Sequence, residues 1–345
     1  MELRNLGTSG LKVSVLSLGA MTFGESATFM KGVTSSDADA KRVFDRAIER
    51  GVNLVDTANV YNEGKSEELT GKWIKDKRHK VLLATKCRFP MGFGMTEKPG
   101  PHDMGLSRQH IVSACEASLK RLGTDHIDLY QMHMQDRSVR IEETMRALDD
   151  VVRAGKTRYV GFCNLSAWQA MKALAFADRW NLSRFVSAQV YYSIGGRDIE
   201  REIVPLAQAE GLAILPWSPL AGGLLSGKFD PDKPGPEGAR RTSFDFPPVD
   251  RARLPKVLGA LREVAAATNA SVARVALAWQ LTRPFVTSVI IGARNREQLA
   301  DNLAAADLEL AHEHVAKLDE ASALAPEYPG WMLDWQNRDR RPPTR

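Results

Sequence analysis

Four titratable side chains of different types stand at or just after the ends of short apolar runs. Asp56 ends the run VNLVD, Tyr61 lies in the polar segment after it, Lys86 ends VLLATK and His133 ends IDLYQMH. A carboxylate, a phenol, an ammonium and an imidazole in one place would support proton transfer to or from a bound substrate. Taken singly, Asp56 could cap a helix, Lys86 could extend over a rim and His133 could be a core residue. Their occurrence at successive run ends favours a shared site.

Eight apolar runs of strand length recur along the chain, and each is followed by a polar segment. They are Val13–Gly19, Val52–Ala58, Val81–Cys87, Ile127–His133, Tyr159–Asn164, Phe185–Tyr191, Leu212–Ser218 and Val286–Gly292. Apolar residues at helical spacing mark Ser36–Gly51, Ser107–Gly123, Glu142–Gly155, Trp168–Trp180 and Asp198–Gly211. This alternation predicts parallel strands with helices outside them.

About eight strand–helix repeats in 345 residues predict a closed (β/α)8 TIM barrel rather than an open doubly wound sheet. An open sheet that binds a dinucleotide would carry a Gly-x-Gly-x-x-Gly pattern after a strand, and the sequence has none. We expect one domain over residues 1–345, with a core at about 10–325 and a tail at 326–345. Two long segments, Arg88–Gly105 after the third strand and Gly222–Pro248 after the seventh, predict either lids over the site or irregular surface.

The composition narrows the class of protein. Hydrophobic residues make up 43% of the chain and charged residues 26%, which is ordinary for a soluble globular protein. The net charge of +5 is small, and no basic run with interleaved aromatics indicates nucleic-acid binding. Three widely spaced cysteines, with no signal peptide and no apolar run of membrane length, predict a cytoplasmic protein without a membrane partner.

The segment DTANVYNEGKSEE, from Asp56 to Glu68, resembles the D-T-A-x-x-Y-x-x-G-x-S-E segment of the aldo-keto reductase superfamily. The resemblance continues in order through LATK ending at Lys86, DLYQMH ending at His133, GFCN ending at Asn164, WSPLAGGLLSGK at Trp217–Lys228 and IIGARNREQLADN at Ile290–Asn302. The pattern is most similar to that of bacterial aldo/keto reductases and potassium-channel β subunits. It implies a (β/α)8 barrel that reversibly reduces an aldehyde or ketone with a nicotinamide cofactor.

The resemblance implies a catalytic tetrad of Tyr61, Lys86, Asp56 and His133. Tyr61 would be the general acid at the developing alkoxide. A free tyrosine has a pKa of about 10, and a neighbouring cation lowers that pKa. Lys86 would supply the cation, and Asp56 would keep it charged and in place. His133 would hydrogen-bond and orient the substrate oxygen.

Because no side chain carries hydride, a cofactor must, and the resemblance implies NADPH, with NADH less favoured. The nicotinamide and its ribose would contact Gly19, Met21, Thr22, Asp56, Asn164, Gln189 and Trp217, and the pyrophosphate would contact Ser218, Leu220, Gly222 and Lys228. The adenosine end would meet Gly292, Arg294, Gln298 and Asn302, where a helix begins. Arg294 favours NADPH because a guanidinium suits a 2′-phosphate, and Arg240 would reach the same phosphate. The alternative for Arg294 is an exposed arginine that binds no ligand, and the alternative for Gly222 is an ordinary turn.

Two departures from the family pattern affect details. Cys163 stands where many members have serine before the asparagine, which puts one hydrogen bond to the carboxamide in question. Gly195 and Gly196, after Tyr192, replace bulkier residues, whereas Arg197 fits the pattern.

We expect Phe23, Tyr61, Phe89 and His133 to line the pocket mouth. The tail would either fold over the mouth, where it would contribute Trp331 or Trp335, or pack on the side of the barrel. Such an apolar rim suits aromatic or bulky alicyclic carbonyls, so the partner would be a small-molecule carbonyl or alcohol. A different class of function stays open: a cofactor-binding regulatory module that resembles potassium-channel β subunits and turns over little. A metal-dependent hydrolase is disfavoured because His79, His102, His110, His126, His312 and His314 form no cluster at strand ends.

Overall fold

A computed structural model describes residues 1–26, 33–91, 98–229, 241 and 245–336 of the chain. Its strands are β1 (Leu3–Asn5), β2 (Lys12–Ser14), β3 (Leu16–Gly19), β4 (Leu54–Asp56), β5 (Leu82–Cys87), β6 (Ile127–Met132), β7 (Thr157–Cys163), β8 (Phe185–Tyr191), β9 (Ala213–Trp217) and β10 (Val289–Ile291). Its helices are α1 (Asp37–Glu49), α2 (Lys65–Ile74), α3 (Arg108–Leu122), α4 (Ile141–Arg153), α5 (Ala167–Trp180), α6 (Ile203–Glu210), α7 (Leu254–Ala267), α8 (Val272–Leu281), α9 (Arg296–Leu303), α10 (His312–Ala321) and α11 (Gly330–Gln336).

Strands β3 to β10 form one parallel barrel. Their hydrogen-bonded order is β10-β3-β4-β5-β6-β7-β8-β9. A parallel bridge between Ile214 and Val286 closes the ring, and the Thr287 amide donates to the Ile214 carbonyl at 2.9 Å. The predicted (β/α)8 TIM barrel is therefore confirmed. One predicted strand is wrong in its bounds: Val13–Gly19 divides at Val15 between β2, outside the barrel, and β3, within it.

The hairpin of β1 and β2 closes the amino-terminal end of the barrel. Leu6 and Val13 share a buried cluster with Leu54 and Ala213, which lie at the starts of barrel strands. The Thr8 amide donates to the Gly211 carbonyl at 2.9 Å, which fixes the hairpin against the chain entering β9. Apolar side chains therefore fill this end of the barrel, and a polar site is expected at the other end, where the strands have their carboxyl termini.

Alternation along the strands brings functional side chains into the barrel above this packed floor. Leu54, Ala84, Leu129 and Leu215 belong to the buried cluster inside the barrel. Two residues further along the same strands stand Asp56, Lys86, Gln131 and Trp217. Because successive side chains of a strand point to opposite faces, residues two apart share the inner face. The barrel interior therefore changes from aliphatic to polar or aromatic near the carboxyl ends of its strands.

The helices cover the outside of the barrel through a second, larger apolar cluster. Helix α1 shows why the sequence pattern predicted them: Ser36 caps its first turn by accepting the Asp39 amide, and its buried face carries Val43 and Phe44. Helix α3 is capped by Ser107 and ends at Gly123, which has a positive φ of 60°. The five predicted helices all have counterparts, while α2, α7, α8, α10 and α11 were not specified in advance.

Long connections follow β5 and β9, as predicted, and the structure describes residues 88–91 and 98–107 of the first and residues 218–229, 241 and 245–253 of the second. Residues 98–107, between β5 and α3, contain neither helix nor strand. The connection after β9 contains a short 3-10 turn, Ala221–Ser226, before α7 begins. The described part of the tail is tied to the barrel by an ion pair between Arg201 and Glu327 at 2.9 Å. Within the described ranges, no helix is long and apolar enough to cross a membrane.

Candidate active site

Asp56 and Lys86 form a buried ion pair at the carboxyl ends of β4 and β5. The Lys86 ammonium donates to Asp56 Oδ1 at 2.5 Å, to the Thr57 carbonyl at 2.9 Å and to Tyr61 Oη at 3.2 Å. These bonds use all three ammonium donors. Burial acts to lower the pKa of Lys86, but the charge and hydrogen bond of Asp56, together with smaller contributions from Tyr61 and Cys163, outweigh burial and raise that pKa above its ordinary value. Lys86 is therefore a cation at neutral pH, and its charge is directed at the Tyr61 hydroxyl.

Two buried glutamines hold the second oxygen of Asp56. The side-chain amides of Gln189 and Gln131 donate to Asp56 Oδ2 at 2.8 and 3.2 Å. Gln131 was not among the predicted site residues, although its position in β6, two residues before His133, indicates that its side chain points inward. Gln189 was predicted to hold the nicotinamide carboxamide. Its amide nitrogen bonds to Asp56 here, which leaves its carbonyl oxygen for a ligand.

Tyr61 reaches Lys86 from a 3-10 turn, Tyr61–Gly64, that follows β4. Asn62, with a positive φ of 49°, fixes this turn because its amide donates to the carbonyls of Phe23 at 2.8 Å and Met21 at 3.0 Å. Burial raises the pKa of the Tyr61 hydroxyl above its ordinary value, although Lys86 acts to lower it. Lys86 thus acts on the pKa of Tyr61 in the expected direction, but the cost of desolvating the phenolate is larger.

His133 faces Tyr61 and Phe89 across the mouth of the barrel. The His133 ring centroid lies 5.8 Å from that of Tyr61 and 4.9 Å from that of Phe89, both edge-to-face. Burial, together with the charges of Lys86 and Arg88, holds the pKa of His133 well below its usual range. Its imidazole is therefore neutral at neutral pH. Its Nδ1 atom is buried without a hydrogen-bond partner among the described residues.

Phe23 does not line the mouth, contrary to the expectation from sequence. Its side chain is fully buried, and its ring centroid lies 5.5 Å from that of Trp73 in α2. The backbone turns away from the barrel after Met21, and Phe23 forms a parallel bridge with Ser35. The ring consequently packs between the barrel and its outer helices.

The aromatic residues of the tail are also not found at the mouth. Trp331 and Trp335 lie on α11 and are 51% and 61% exposed. The Trp331 ring packs edge-on against Tyr328 in the same tail, at 6.4 Å. No described contact joins these side chains to Tyr61, Phe89 or His133. The predicted contribution of Trp331 to the substrate pocket has no support in the structure.

Apart from Asp56 in β4, the predicted cofactor residues lie in or after the five strands that do not carry Asp56, Lys86 and His133. Asn164 follows β7, Gln189 lies in β8, Trp217 ends β9, Gly292 follows β10 and Gly19 ends β3. These five strands are consecutive around the barrel, and β4, β5 and β6 complete the ring. We call the former the cofactor arc and the latter, with Tyr61, Lys86 and His133, the reaction arc.

Several features of the cofactor arc fit a nicotinamide dinucleotide. The Thr22 hydroxyl is buried without a partner among the described residues. Asn164, exposed at the mouth with a positive φ of 56°, donates to the His133 carbonyl at 3.2 Å and accepts from the Trp217 indole at 2.9 Å. An amide side chain has two hydrogens and two acceptor positions, so Asn164 keeps one of each for a ligand.

The connection after β9 brings its backbone close to the mouth. Ser218, Gly222 and Gly223 have positive φ values of 52°, 66° and 102°. A Cβ atom added to Gly222 would lie 2.6 Å from the Phe246 carbonyl oxygen, which explains the glycine. Phe246 stacks on one face of the Trp217 ring, with centroids 5.6 Å apart. The side chain of Lys228 is exposed, and Leu220 is partly buried.

The predicted adenosine site lies at the start of α9. The Asn295 side chain caps this helix by accepting the Gln298 amide at 2.9 Å. Gln298 in turn accepts the Arg294 amide at 3.0 Å, and the buried Asn302 donates to the Gly292 carbonyl at 3.1 Å. Gln298 and Asn302 therefore shape the loop that presents the exposed Arg294. Arg240 lies outside the described residues.

The departures from the family pattern have local explanations. Cys163 is buried below the mouth, with its sulfur 4.0 Å from the Gln131 carbonyl oxygen. A Cβ atom on Gly196 would lie 2.5 Å from the Tyr191 ring, so the bulky tyrosine requires the glycine. Arg197 forms an ion pair with Glu200 at 2.9 Å and donates to the Ser322 hydroxyl at 2.8 Å. It anchors the chain after α10.

The fold and the site define a (β/α)8 barrel in which a buried lysine–carboxylate pair supports a tyrosine opposite a neutral histidine. The profile of the Aldo/keto reductase family matches residues 15–323. The chain belongs to this family, and membership supports carbonyl reduction as the general reaction.

Three relatives are similar over nearly their whole length. The uncharacterized oxidoreductase YrpG of Bacillus subtilis is 39% identical, over 93% of this chain and 95% of that protein. A provisionally named aryl-alcohol dehydrogenase, C977.14c of Schizosaccharomyces pombe, is 36% identical over 93% and 95%. A provisionally named voltage-gated potassium channel subunit beta of Arabidopsis thaliana is 36% identical over 89% and 92%.

Proposed function

We propose that this chain reduces an aldehyde or ketone to the alcohol with NADPH, and that Tyr61 is the general acid. The observation that carries the proposal is the hydrogen-bonded series from Asp56 through Lys86 to Tyr61 Oη, at 2.5 and 3.2 Å. A structural lysine does not need a phenol hydroxyl at the mouth of a barrel, whereas a proton donor needs a fixed cation beside it.

In this mechanism the substrate oxygen lies between the Tyr61 hydroxyl and His133. The raised pKa of Tyr61 keeps its proton in place at neutral pH, ready for donation. As the proton leaves, the Lys86 ammonium at 3.2 Å stabilises the phenolate. We place the single ring hydrogen of neutral His133 on Nε2, because Nδ1 is buried without an acceptor among the described residues. His133 then donates to the same substrate oxygen and orients it.

The nicotinamide cofactor supplies the hydride when it is bound. Asn164 and Gln189 would hold the carboxamide through the amide positions that the protein leaves unused, and the Thr22 hydroxyl would meet the ribose. Arg294, exposed beside the first turn of α9, would bind the 2′-phosphate, and this supports NADPH over NADH. Three buried, unpaired cysteines support a reducing, cytoplasmic location as part of the proposal.

The rings of Tyr61, Phe89 and His133 support an aromatic carbonyl as substrate. Edge-to-face contacts between these rings leave a wall against which a flat substrate can pack. The relative named as an aryl-alcohol dehydrogenase is in line with this class. Catalytic efficiency should be higher on aryl aldehydes and ketones than on simple aldoses, and a preference for aldoses would contradict the aromatic assignment.

The test is consumption of NADPH or NADH by the purified protein with a panel of aldehydes and ketones. Tyr61→Phe should lower the rate by roughly 10²–10⁴-fold, as expected for loss of a general acid. Tyr328→Phe, which removes a hydroxyl from the exposed tail, is the matched control and should keep the full rate. Retention of full activity by Tyr61→Phe would refute the assigned role.

The similarity to a potassium channel subunit beta supports a second candidate, a cofactor-binding regulatory module with little turnover. The same assay separates the two. Steady consumption of NADPH over many turnovers favours the reductase. Tight cofactor binding, measured by tryptophan fluorescence, with no turnover of any carbonyl favours the module.

A further inference from the structure

Arg88 follows β5 in a conformation that L-residues rarely adopt. Its φ is +137°, and residues outside the favoured regions persist where the surrounding structure holds them, often at ligand sites. The Arg88 carbonyl accepts the Gly105 amide at 2.8 Å, and the Asn59 side chain donates to the Phe89 carbonyl at 3.1 Å. On the preceding side, the Cys87 carbonyl accepts the His133 amide at 2.9 Å. The backbone on both sides of Arg88 is therefore held by hydrogen bonds, which fix where its side chain leaves the main chain.

The Arg88 guanidinium lies along the aromatic wall of the candidate active site. Its central carbon is 4.9 Å from the centroid of the Phe89 ring, which packs edge-on against His133 at 4.9 Å. The Arg88 charge also reaches the imidazole, where it acts to lower the pKa of His133. A cation thus stands beside the neutral histidine that faces Tyr61.

Arg88 has no hydrogen bond or salt bridge from its guanidinium to a residue that the structure describes. Its Nε atom is buried and has no partner in the described part of the chain. Asp136, the carboxylate that interacts electrostatically with Arg88, forms its hydrogen bonds elsewhere. It accepts the Leu106 amide at 2.8 Å and the Ser138 hydroxyl at 2.6 Å. Arg78 shows the contrast with a structural arginine, because it donates to two carbonyls and pairs with Asp128 at 2.8 Å.

The position of Arg88 separates it from the cofactor phosphates. Arg88 follows β5, which lies in the reaction arc between β4 and β6. The residues proposed for the pyrophosphate and the 2′-phosphate follow β9 and β10 in the cofactor arc. An anion that binds Arg88 would therefore belong to the substrate.

We propose that Arg88 binds a carboxylate on the substrate, so that the substrate class is an aromatic aldehyde or ketone that also carries a carboxylate. This inference rests on the proposed function and names the substrate class of that site. A guanidinium presents paired N–H donors that match the two oxygens of a carboxylate. The substrate ring packs against Phe89, its carbonyl oxygen meets Tyr61 and His133, and its carboxylate meets Arg88.

The experiment compares 4-carboxybenzaldehyde with 4-nitrobenzaldehyde, which has nearly the same shape but no charge. In Arg88→Met, kcat/KM for the carboxylate should fall by roughly ten- to a hundredfold, the usual effect of losing a charge-assisted hydrogen bond. The value for the nitro compound should stay close to that of the wild type. Arg88→Lys should retain part of the preference. Arg137→Met removes an exposed arginine from the loop after β6 and should change neither value.

The outcomes separate this inference from the proposed function. An unchanged ratio of the two kcat/KM values in folded Arg88→Met overturns the inference while the reductase function stands. If the wild type reduces neither aldehyde, the panel of other carbonyls decides the proposed function, and calorimetric binding of benzoate to the NADPH-saturated protein decides the inference. Weaker benzoate binding by Arg88→Met supports it, and equal binding, or none to the wild type, overturns it.

If Arg88→Met does not fold, the wild type still provides a test. Added potassium chloride should lower kcat/KM for the carboxylate more than for the nitro compound, because salt screens a charge interaction. Equal sensitivity of both substrates to salt would overturn the assignment of Arg88.

Discussion

Replacing Asp56 by asparagine should destabilise the protein far more than removing an ion pair from its surface. The Asp56 carboxylate accepts hydrogen bonds from Lys86 at 2.5 Å, Gln189 at 2.8 Å and Gln131 at 3.2 Å. Asparagine offers one acceptor oxygen in place of two and directs N–H groups toward these donors. Lys86, fully buried, would lose its counter-ion. Breaking a buried pair in this way costs about 3–5 kcal/mol.

A double-mutant cycle makes this reasoning testable. Lys86→Met leaves Asp56 as an uncompensated buried carboxylate and should cost a similar amount, about 3–5 kcal/mol. The double variant Asp56→Asn/Lys86→Met contains no buried charge, so it should be more stable than either single variant. Asp39→Asn, which removes an exposed partner of Arg42, is the surface control and should have a much smaller effect.

The assay is the free energy of unfolding from urea denaturation at neutral pH, followed by circular dichroism. The folded-state pKa of Lys86 is raised, so its stabilising effect is fully present below the ordinary pKa of lysine and is lost only as the pH rises through the folded value. Neutral pH therefore measures the whole effect. Single variants that cost less than about 1 kcal/mol, or a double variant whose loss equals the sum of the two, would refute the argument.

Three further predictions follow from the site and its surroundings. Phe23→Ala should lower the free energy of unfolding by about 3–5 kcal/mol, whereas Phe89→Ala should mainly raise KM for aryl aldehydes. The reverse pattern would show that Phe23, and not Phe89, lines the substrate pocket. Because the folded-state pKa of His133 is depressed, the unfolded chain binds a proton below about pH 6.5 that the folded protein does not, and the free energy of unfolding falls as the pH decreases from there. His133→Gln should therefore remove up to about 1.4 kcal/mol per pH unit of acid sensitivity in urea titrations, and unchanged acid sensitivity would contradict the assignment. Gly222→Ala should weaken NADPH binding in fluorescence titrations because its Cβ would meet the Phe246 carbonyl at 2.6 Å; wild-type affinity would show that the loop adapts.

The barrel and the proximity of Asp56, Lys86, Tyr61 and His133 were predictable from sequence because both follow from local pattern. Each strand alternates its side chains, and Asp56, Lys86 and His133 stand at positions where that alternation points inward at the carboxyl end. The one site residue of β6 that was missed, Gln131, obeys the same rule and was overlooked because an amide has no titratable group.

The errors arose where a long-range contact decides the position of a side chain. Phe23 follows β3 closely in sequence, but the turn after Met21 carries it to Trp73, and only the packed structure reveals that direction. Arg88 was treated as part of a long connection, and its fixed backbone depends on Asn59 and Gly105, distant in sequence. Similarly, no pattern in the tail indicates that α11 keeps Trp331 away from the mouth.

The separation of the barrel into two arcs has a consequence for engineering. If the proposed function holds, most residues that determine chemical preference follow β4 to β6, and most coenzyme contacts lie in or after β7 to β10 and β3, two separate stretches of the ring. On that assignment, a library that randomises the connections after β5 and β6 should change which substrates are accepted and leave the proposed coenzyme contacts in place. Substrate specificity and coenzyme specificity could therefore be selected separately in this barrel.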